Sequence, residues 1–196
     1  MMGLRNRNAD AGTEQGCADD LSWLVGTYWY VPTDYLPAMQ QVNIAQPQIT
    51  QVNDQTLWYF TQYSNGYLIG QCAASIDGGD FEYQSIVGSV APDGSVCLSF
   101  TPVGGISLHP VQGSVSVASF IVGQGKLTQH QGQPAFLMQM TGGNGAYNLT
   151  HWAYMMQTKP GDESWTTLPG TDGSQSVEEV FADWGQRFRH HALQCP

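Results

Sequence analysis

The sequence predicts an all-β protein, built as an antiparallel barrel of about eight or more strands and followed by a C-terminal amphipathic helix. Two observations support this fold class. Short runs rich in aromatic and β-branched residues alternate with turn sequences from about residue 26 to residue 157, as in meanders that close into barrels. Apolar residues near the C-terminus then recur at helical spacing. The chain of 196 residues is long enough for one domain with a substantial core.

The strands are predicted between turn signals in which glycine, asparagine, aspartate and proline predominate. Ser64-Asn65-Gly66 is a strong signal, because Asn-Gly favours the tight turns of β-hairpins. Gly123-Gln124-Gly125 is predicted to be another hairpin turn. We expect a short helix over residues 18–24, and strands at 26–31, 57–63, 67–76, 81–90, 95–101, 111–122, 126–129, 135–141 and 147–157.

The last part of the chain changes period and predicts an amphipathic helix at about residues 175–191. Acidic residues come early in this segment and basic residues come late, which suits the helix dipole. We therefore expect a flexible tail at residues 1–16 and a single barrel domain at residues 17–196 that ends in this helix. The apolar residues at helical spacing are Val177, Val180, Phe181, Trp184 and Phe188.

The distribution of charge argues against several classes of partner. The net charge is −10, and no Lys or Arg stands between Arg7 and Lys126. Nucleic acids and anionic membranes are bound by clustered Lys and Arg, so we expect neither as a partner. A phosphorylated ligand would lack its usual Arg clamp. The sequence therefore predicts a neutral or cationic small-molecule ligand.

The cysteines and the hydropathy pattern indicate a soluble, cytoplasmic protein. Cys17, Cys72, Cys97 and Cys195 show no C-x-x-C spacing, so we expect reduced thiols. The alternative is a Cys17–Cys195 pair, if the chain ends meet. No apolar run approaches the roughly 20 residues of a membrane span, and residues 1–16 lack the apolar core of a secretory signal. The sequence leaves a homodimer open.

The segment LSWLVGTYWY, residues 21–30, resembles the opening of lipocalin-like (calycin) barrels. Those chains often start with a short helix, which leads into a Gly-x-Trp-type strand that closes one barrel end. Here Gly26 and Trp29 stand one residue further apart than in that pattern. The resemblance implies a cavity for small apolar ligands, and such barrels include carriers, haem proteins and cofactor-free enzymes.

Ionisable side chains inside predicted strands are the candidates for catalysis. Most carboxylates, Asp54 among them, stand beside glycine or polar turn residues, whereas Glu82 and His151 lie within predicted strands. If they line a cavity, desolvation shifts their pKa values and suits them to acid/base chemistry. Tyr83 is the candidate hydroxyl for polarising a substrate oxygen. The alternative is that Glu82 and His151 point outward or satisfy hydrogen bonds in the core.

Aromatic and methionine side chains are dense enough to form the wall of a cavity for a neutral, ring-bearing ligand. The five histidines show no metal-ligand spacing, so we expect no metal and no cofactor. The candidate ligand-binding residues are Trp29, Tyr35, Trp58, Tyr147, Trp152 and Met138.

Four functions fit these observations. The first is a cofactor-independent enzyme of lyase, isomerase or cyclase type that acts on a small neutral apolar or aromatic metabolite. The alternative is a noncatalytic carrier with the same pocket. The third is a haem-binding barrel, in which His151 or His109 would ligate the iron. The fourth is a structural or interaction protein without a cavity.

Overall fold

The computed structural model describes residues 20–33, 35–43, 45–77, 82–102, 120–143, 147–166 and 168. The predicted N-terminal tail and the predicted helix at 175–191 lie outside these residues. A short 3-10 helix, Ser22–Leu24, precedes the first strand. The strands are β1 (Tyr28–Tyr30), β2 (Leu36–Val42), β3 (Gln48–Val52), β4 (Asp54–Ser64), β5 (Tyr67–Ile76), β6 (Glu82–Val90), β7 (Ser95–Pro102), β8 (Phe120–His130), β9 (Gln133–Gly143) and β10 (Tyr147–Thr158).

The strands form a closed antiparallel barrel with eight positions around its circumference. β1 pairs with both β4 and β10, and this double pairing closes the sheet. β2 also pairs with β10, at residues of that strand nearer its start than those paired with β1. β3 pairs with β2 and is followed directly by β4. β1–β2 and β3–β4 therefore occupy one position each, while β5 to β10 fill the others in chain order. The predicted barrel is confirmed.

One end of the barrel combines tight turns with an aromatic core. Asn65 and Gly66 join β4 to β5 with φ angles of 51° and 84°, the left-handed conformation that a two-residue hairpin turn requires. Trp29, Phe60 and Phe136 are fully buried at this end, and the ring centroids of Trp29 and Phe136 lie 4.5 Å apart. Burial of each such ring contributes about 1.5–3 kcal/mol to the free energy of unfolding.

The described residues that follow β10 pack on the outer face of the barrel. They include helix α1 (Glu163–Thr166) and reach Leu168, which is buried against Leu57 and Ala73. The ring of Trp165 meets the ring of Tyr28 edge-on at 5.0 Å. No helix within the described ranges is long and apolar enough to span a membrane.

The prediction of a turn at Gly123-Gln124-Gly125 is wrong, because all three residues lie within β8. A Cβ atom on Gly125 would stand 1.9 Å from the carbonyl oxygen of Leu137 and 2.8 Å from the Cα of Met138. Glycine is required there by the close approach of β9 rather than by a turn. The predicted strands at 111–122 and 126–129 are accordingly replaced by one strand, and residues 111–119 lie outside the described part of the chain.

Candidate functional site

A cavity of about 400 Å³ lies inside the barrel, toward the end opposite the aromatic core. This volume falls within the range of about 300–1,000 Å³ that is usual for small-molecule pockets. The wall consists of inward-facing residues of β4 to β10, and most of it is apolar. The side chains that interrupt the apolar wall with polar atoms are Asp54, Thr56, Trp58, Cys72, Gln84 and His151.

The apolar part of the wall comes mainly from β7 to β10. Phe100, Met140 and Met155 are among its buried side chains, and methionine adapts readily to the shape of a ligand. No Lys or Arg belongs to the cavity wall as far as the structure describes it. An anionic ligand would therefore meet no ammonium or guanidinium group there, and a neutral ligand suits the wall better.

Asp54 begins β4 and is the buried carboxyl of the cavity. Its side chain is 5% exposed, and the Thr56 hydroxyl donates a hydrogen bond of 2.5 Å to its Oδ1 atom. Burial raises the pKa of the Asp54 carboxyl above its ordinary value, while the Thr56 hydrogen bond and the neighbouring His151 oppose that rise. The charged form of this carboxylate is therefore costly in the folded protein.

His151 faces Asp54 from β10. The Nδ1 atom of His151 lies 4.0 Å from Oδ2 of Asp54, and its side chain is 8% exposed. The same Nδ1 atom lies 3.3 Å from the backbone oxygen of Trp152, to which it donates when it carries the proton. In that tautomer Nε2 bears a lone pair, and no described residue forms a hydrogen bond with Nε2. The imidazole is thus placed to accept a proton through Nε2.

Trp58, Cys72 and Gln84 form a row of cross-strand neighbours on β4, β5 and β6. Their exposed fractions are 1%, 1% and 3%. Burial raises the pKa of the Cys72 thiol well above its ordinary value, the charge of Asp54 adds to the rise, and the Trp58 indole N–H partly offsets it. Cys72 therefore remains a neutral thiol at physiological pH.

Two of the predicted site residues, His151 and Trp58, lie in the cavity wall. Trp29 and Met138 are also fully buried, but they belong to the core beyond the cavity wall. The indole N–H of Trp29 donates a 2.8 Å hydrogen bond to the Thr27 hydroxyl. Of the predicted ligand-binding residues, Trp58 therefore lies in the cavity wall, whereas Trp29 and Met138 pack in the core.

Three further predicted residues also lie away from the cavity wall. Tyr35 and Trp152 are 62% and 59% exposed. Trp152 points outward because it alternates along β10 with the inward-facing His151. Tyr83 packs in the cluster around Leu57 on the outer face of the sheet.

The remaining predicted residues are described in part or not at all. Glu82 and Tyr147 begin β6 and β10, and their side chains lie outside what the structure describes. Glu82 pairs in register with Ala74, which lines the cavity. His109 lies outside the described residues altogether. Within the described ranges, no group of three or more His, Cys, Asp or Glu residues could hold a metal ion.

Sequence reasoning missed Asp54, which it assigned to a turn because Asn53 and Gln55 are polar. The structure contradicts that assignment, since Asp54 is a strand residue with a buried side chain. A signal was present in the alternation of the strand. Asp54 and Thr56 share their face of β4 with Trp58, a residue already predicted to face a ligand.

The chain matches no protein-family model and no curated protein sequence. Among solved structures, it is similar to a redesigned β barrel, mFAP1, bound to DFHBI. The likeness covers 70% of this chain and 97% of that chain, with 16% sequence identity and a TM-score of 0.40. The barrel of this chain is defined by its own strand pairing.

Proposed function

We propose that this protein is a cofactor-independent enzyme, of isomerase or lyase type, that moves a proton on a small neutral apolar or aromatic molecule. The observation that carries the proposal is the pair formed by Asp54 and His151 in the wall of the barrel cavity, with 4.0 Å between Oδ2 and Nδ1. An apolar cavity holds the molecule, and the pair supplies an acid and a base beside it.

The two groups divide the chemistry between them. His151 accepts a proton at Nε2, and the negative charge of Asp54 stabilises the imidazolium that results. Because both side chains are shielded from solvent, this attraction is stronger than it would be in water. Pairs of titratable groups with different environments recur in enzymes that run acid and base steps at one pH.

Glu82 remains part of the proposal as a further proton-transfer group. The backbone pairing of Glu82 with Ala74, a residue that lines the cavity, supports this role. Tyr83 packs on the outer face of the barrel, so its hydroxyl does not polarise a substrate oxygen inside the cavity. The side chains of Trp58 and Gln84, which line the cavity, are the donors for that role.

A lipocalin-like relationship is the evolutionary part of the proposal. It is supported by the consecutive up-and-down order of the strands and by the short helix that leads into β1. A noncatalytic carrier is the second candidate function. The observation that favours it is the preponderance of apolar side chains, among them Phe100, Ile121 and Leu149, around the cavity.

Deuterium exchange at carbon tests the proposed function without knowledge of the natural substrate. Neutral cyclic ketones such as 1-indanone carry weakly acidic α-protons, and ¹H NMR in D₂O follows their replacement. We expect the wild-type protein to accelerate the exchange, and His151→Gln or Asp54→Asn to lower the acceleration by about 10²–10⁴-fold.

His130→Gln is the matched control, because His130 is an exposed histidine at the end of β8 and does not line the cavity. This variant should exchange the ketone at the wild-type rate. Exchange in wild-type protein no faster than in buffer would overturn the enzyme proposal and favour the carrier.

A further inference from the structure

Two buried tryptophans differ in the hydrogen bonding of their indole N–H groups. Trp29, in the core, donates to the Thr27 hydroxyl at 2.8 Å. Trp58, in the cavity wall, is 1% exposed. The Cys72 thiol lies beside its indole N–H, but Nε1 forms no hydrogen bond of regular geometry within the described part of the chain. Buried polar groups are nearly always paired, so an orphaned donor in the wall of a cavity indicates a partner that arrives with the ligand.

The cross-strand neighbour of Trp58 does not remove this need. Trp58 pairs in register with Cys72, whose sulfur is a weak acceptor as a thiol. Burial and the charge of Asp54 raise the pKa of Cys72, which keeps it in the weakly accepting form. The indole N–H is therefore available to a stronger acceptor, such as an oxygen atom.

A second donor stands at the same level of the barrel. Gln84 pairs in register with Cys72 on the side away from Trp58, is 3% exposed and lines the cavity. Its carboxamide supplies two N–H donors. Trp58 and Gln84 are separated by two strand spacings, about 10 Å between backbones, so their side chains can converge on one atom of a ligand.

We propose that Trp58 and Gln84 bind the carbonyl oxygen of the substrate, which makes the substrate class a neutral, ring-bearing carbonyl compound. This inference rests on the proposed function, because it takes the Asp54–His151 pair as the group that moves the proton. Asp54 and Trp58 lie on the same face of β4, about 13 Å apart along the strand. The side chains of Asp54, Trp58 and His151 line the same cavity, so a ligand in it can place its oxygen at Trp58 and its α-carbon toward His151.

The reaction that this arrangement supports is a carbonyl isomerisation through an enolate. The α C–H bond breaks, its proton passes to Nε2 of His151, and its electron pair forms the new C=C bond. The π electrons of the carbonyl move to the oxygen, which accepts hydrogen bonds from Trp58 and Gln84. Where the substrate carries a C=C bond at its β,γ position, the enolate is a dienolate. Return of the proton from His151 to the γ-carbon restores the C=O bond and moves the C=C bond to the α,β position, so atoms and electrons balance without a co-reactant.

Binding of 1-indanone and indane tests the carbonyl site, because these two molecules differ by one carbonyl group. Ligand-observed NMR titration measures both affinities. In wild-type protein we expect 1-indanone to bind about three- to tenfold more tightly than indane. Trp58→Phe keeps an aromatic ring but removes the donor, and it should abolish this preference.

Trp165→Phe is the matched control, since it removes an indole from the outer face of the barrel, and it should retain the preference. Gln84→Leu is a second variant, which can be measured even if Trp58→Phe does not fold. It should also reduce the preference for 1-indanone over indane. Equal affinities in wild-type protein, no binding of 1-indanone, or a preference that survives in both cavity variants would overturn the carbonyl site.

The two proposals fail in different ways. A carbonyl preference that depends on Trp58, without deuterium exchange, would leave the carbonyl site standing and remove the proton-transfer function. Exchange that depends on His151 but proceeds at the same rate in Trp58→Phe would leave the function standing and remove the carbonyl site.

Discussion

The imidazole of His151 and the carboxyl of Asp54 approach within 4.0 Å although their strands are not neighbours. His151 belongs to β10 and Asp54 to β4, and the β1–β2 position stands between these two strands around the barrel. The two side chains meet because the closed sheet turns both toward the interior. The pair is therefore a product of barrel closure, and it has no counterpart in local sequence.

Asp54→Asn is expected to make the protein more stable at neutral pH. Burial raises the pKa of Asp54 in the folded state, so the folded protein binds more protons than the unfolded chain between the unfolded pKa, about 3.9, and the raised one. The wild-type free energy of unfolding therefore falls as pH rises through that window. Asparagine carries no charge, so the free energy of unfolding of the variant should not fall in this way as the pH rises.

Thermal unfolding of the two proteins between pH 4 and pH 7 measures this difference. The melting temperatures should nearly coincide at pH 4. As the pH rises, the melting temperature of the variant should exceed that of the wild type by an increasing margin. A variant that is less stable than wild type at pH 7 would show that the Asp54 charge stabilises the fold, which contradicts the assigned cause of the raised pKa.

Gly125→Ala is expected to destabilise the barrel by about 1–3 kcal/mol, because the new methyl group would collide with the backbone of β9. Gly123→Ala is the matched control two residues earlier on β8. Its Cβ would meet the mobile ends of Met140 and Met138, at 2.7 and 3.1 Å, and these can move. Chemical denaturation of both variants should give the larger loss at Gly125, and an equal or reversed order would contradict the described β8–β9 register.

The two described cysteines should differ in reactivity. Cys97 is exposed and Cys72 is buried, with a pKa raised by burial, so a thiol reagent should modify only Cys97 in the folded protein. The measurement uses a variant in which Cys17 and Cys195 are replaced by serine. One equivalent should react at once and a second after denaturant is added; two rapid equivalents in the native state would mean that Cys72 is reachable through the cavity.

Much of the barrel could be predicted from the sequence, because its strands are bounded by turn residues. Asn65-Gly66 marks the β4–β5 hairpin, and Asp93-Gly94 marks the connection between β6 and β7. β2 was not predicted, because its sequence contains Pro37 and two glutamines and is not typical of a strand. Its position in the sheet is set by pairing with β10. β8 was divided because glycines at close strand contacts are indistinguishable in sequence from glycines in turns.

The candidate site was predicted less completely, because sequence alternation does not reveal which face of a strand points inward. His151 was identified from its position within a strand, yet its neighbour Trp152 was assigned to the same cavity and lies outside. Asp54 was missed, since its polar neighbours resemble a turn. Its pairing with His151 depends on closure of the sheet, which the sequence of neither strand encodes.

The most direct test of the cavity beside Asp54 and His151 is to locate a bound ligand. Methionine methyl groups labelled with ¹³C report on binding, and Met140 and Met155 line the cavity whereas Met39 is exposed on β2. When 1-indanone is added, we expect the Met140 and Met155 signals to shift and saturate together while the Met39 signal stays in place. If the cavity methionines do not move, or if Met39 alone responds, the cavity beside Asp54 and His151 is not the binding site.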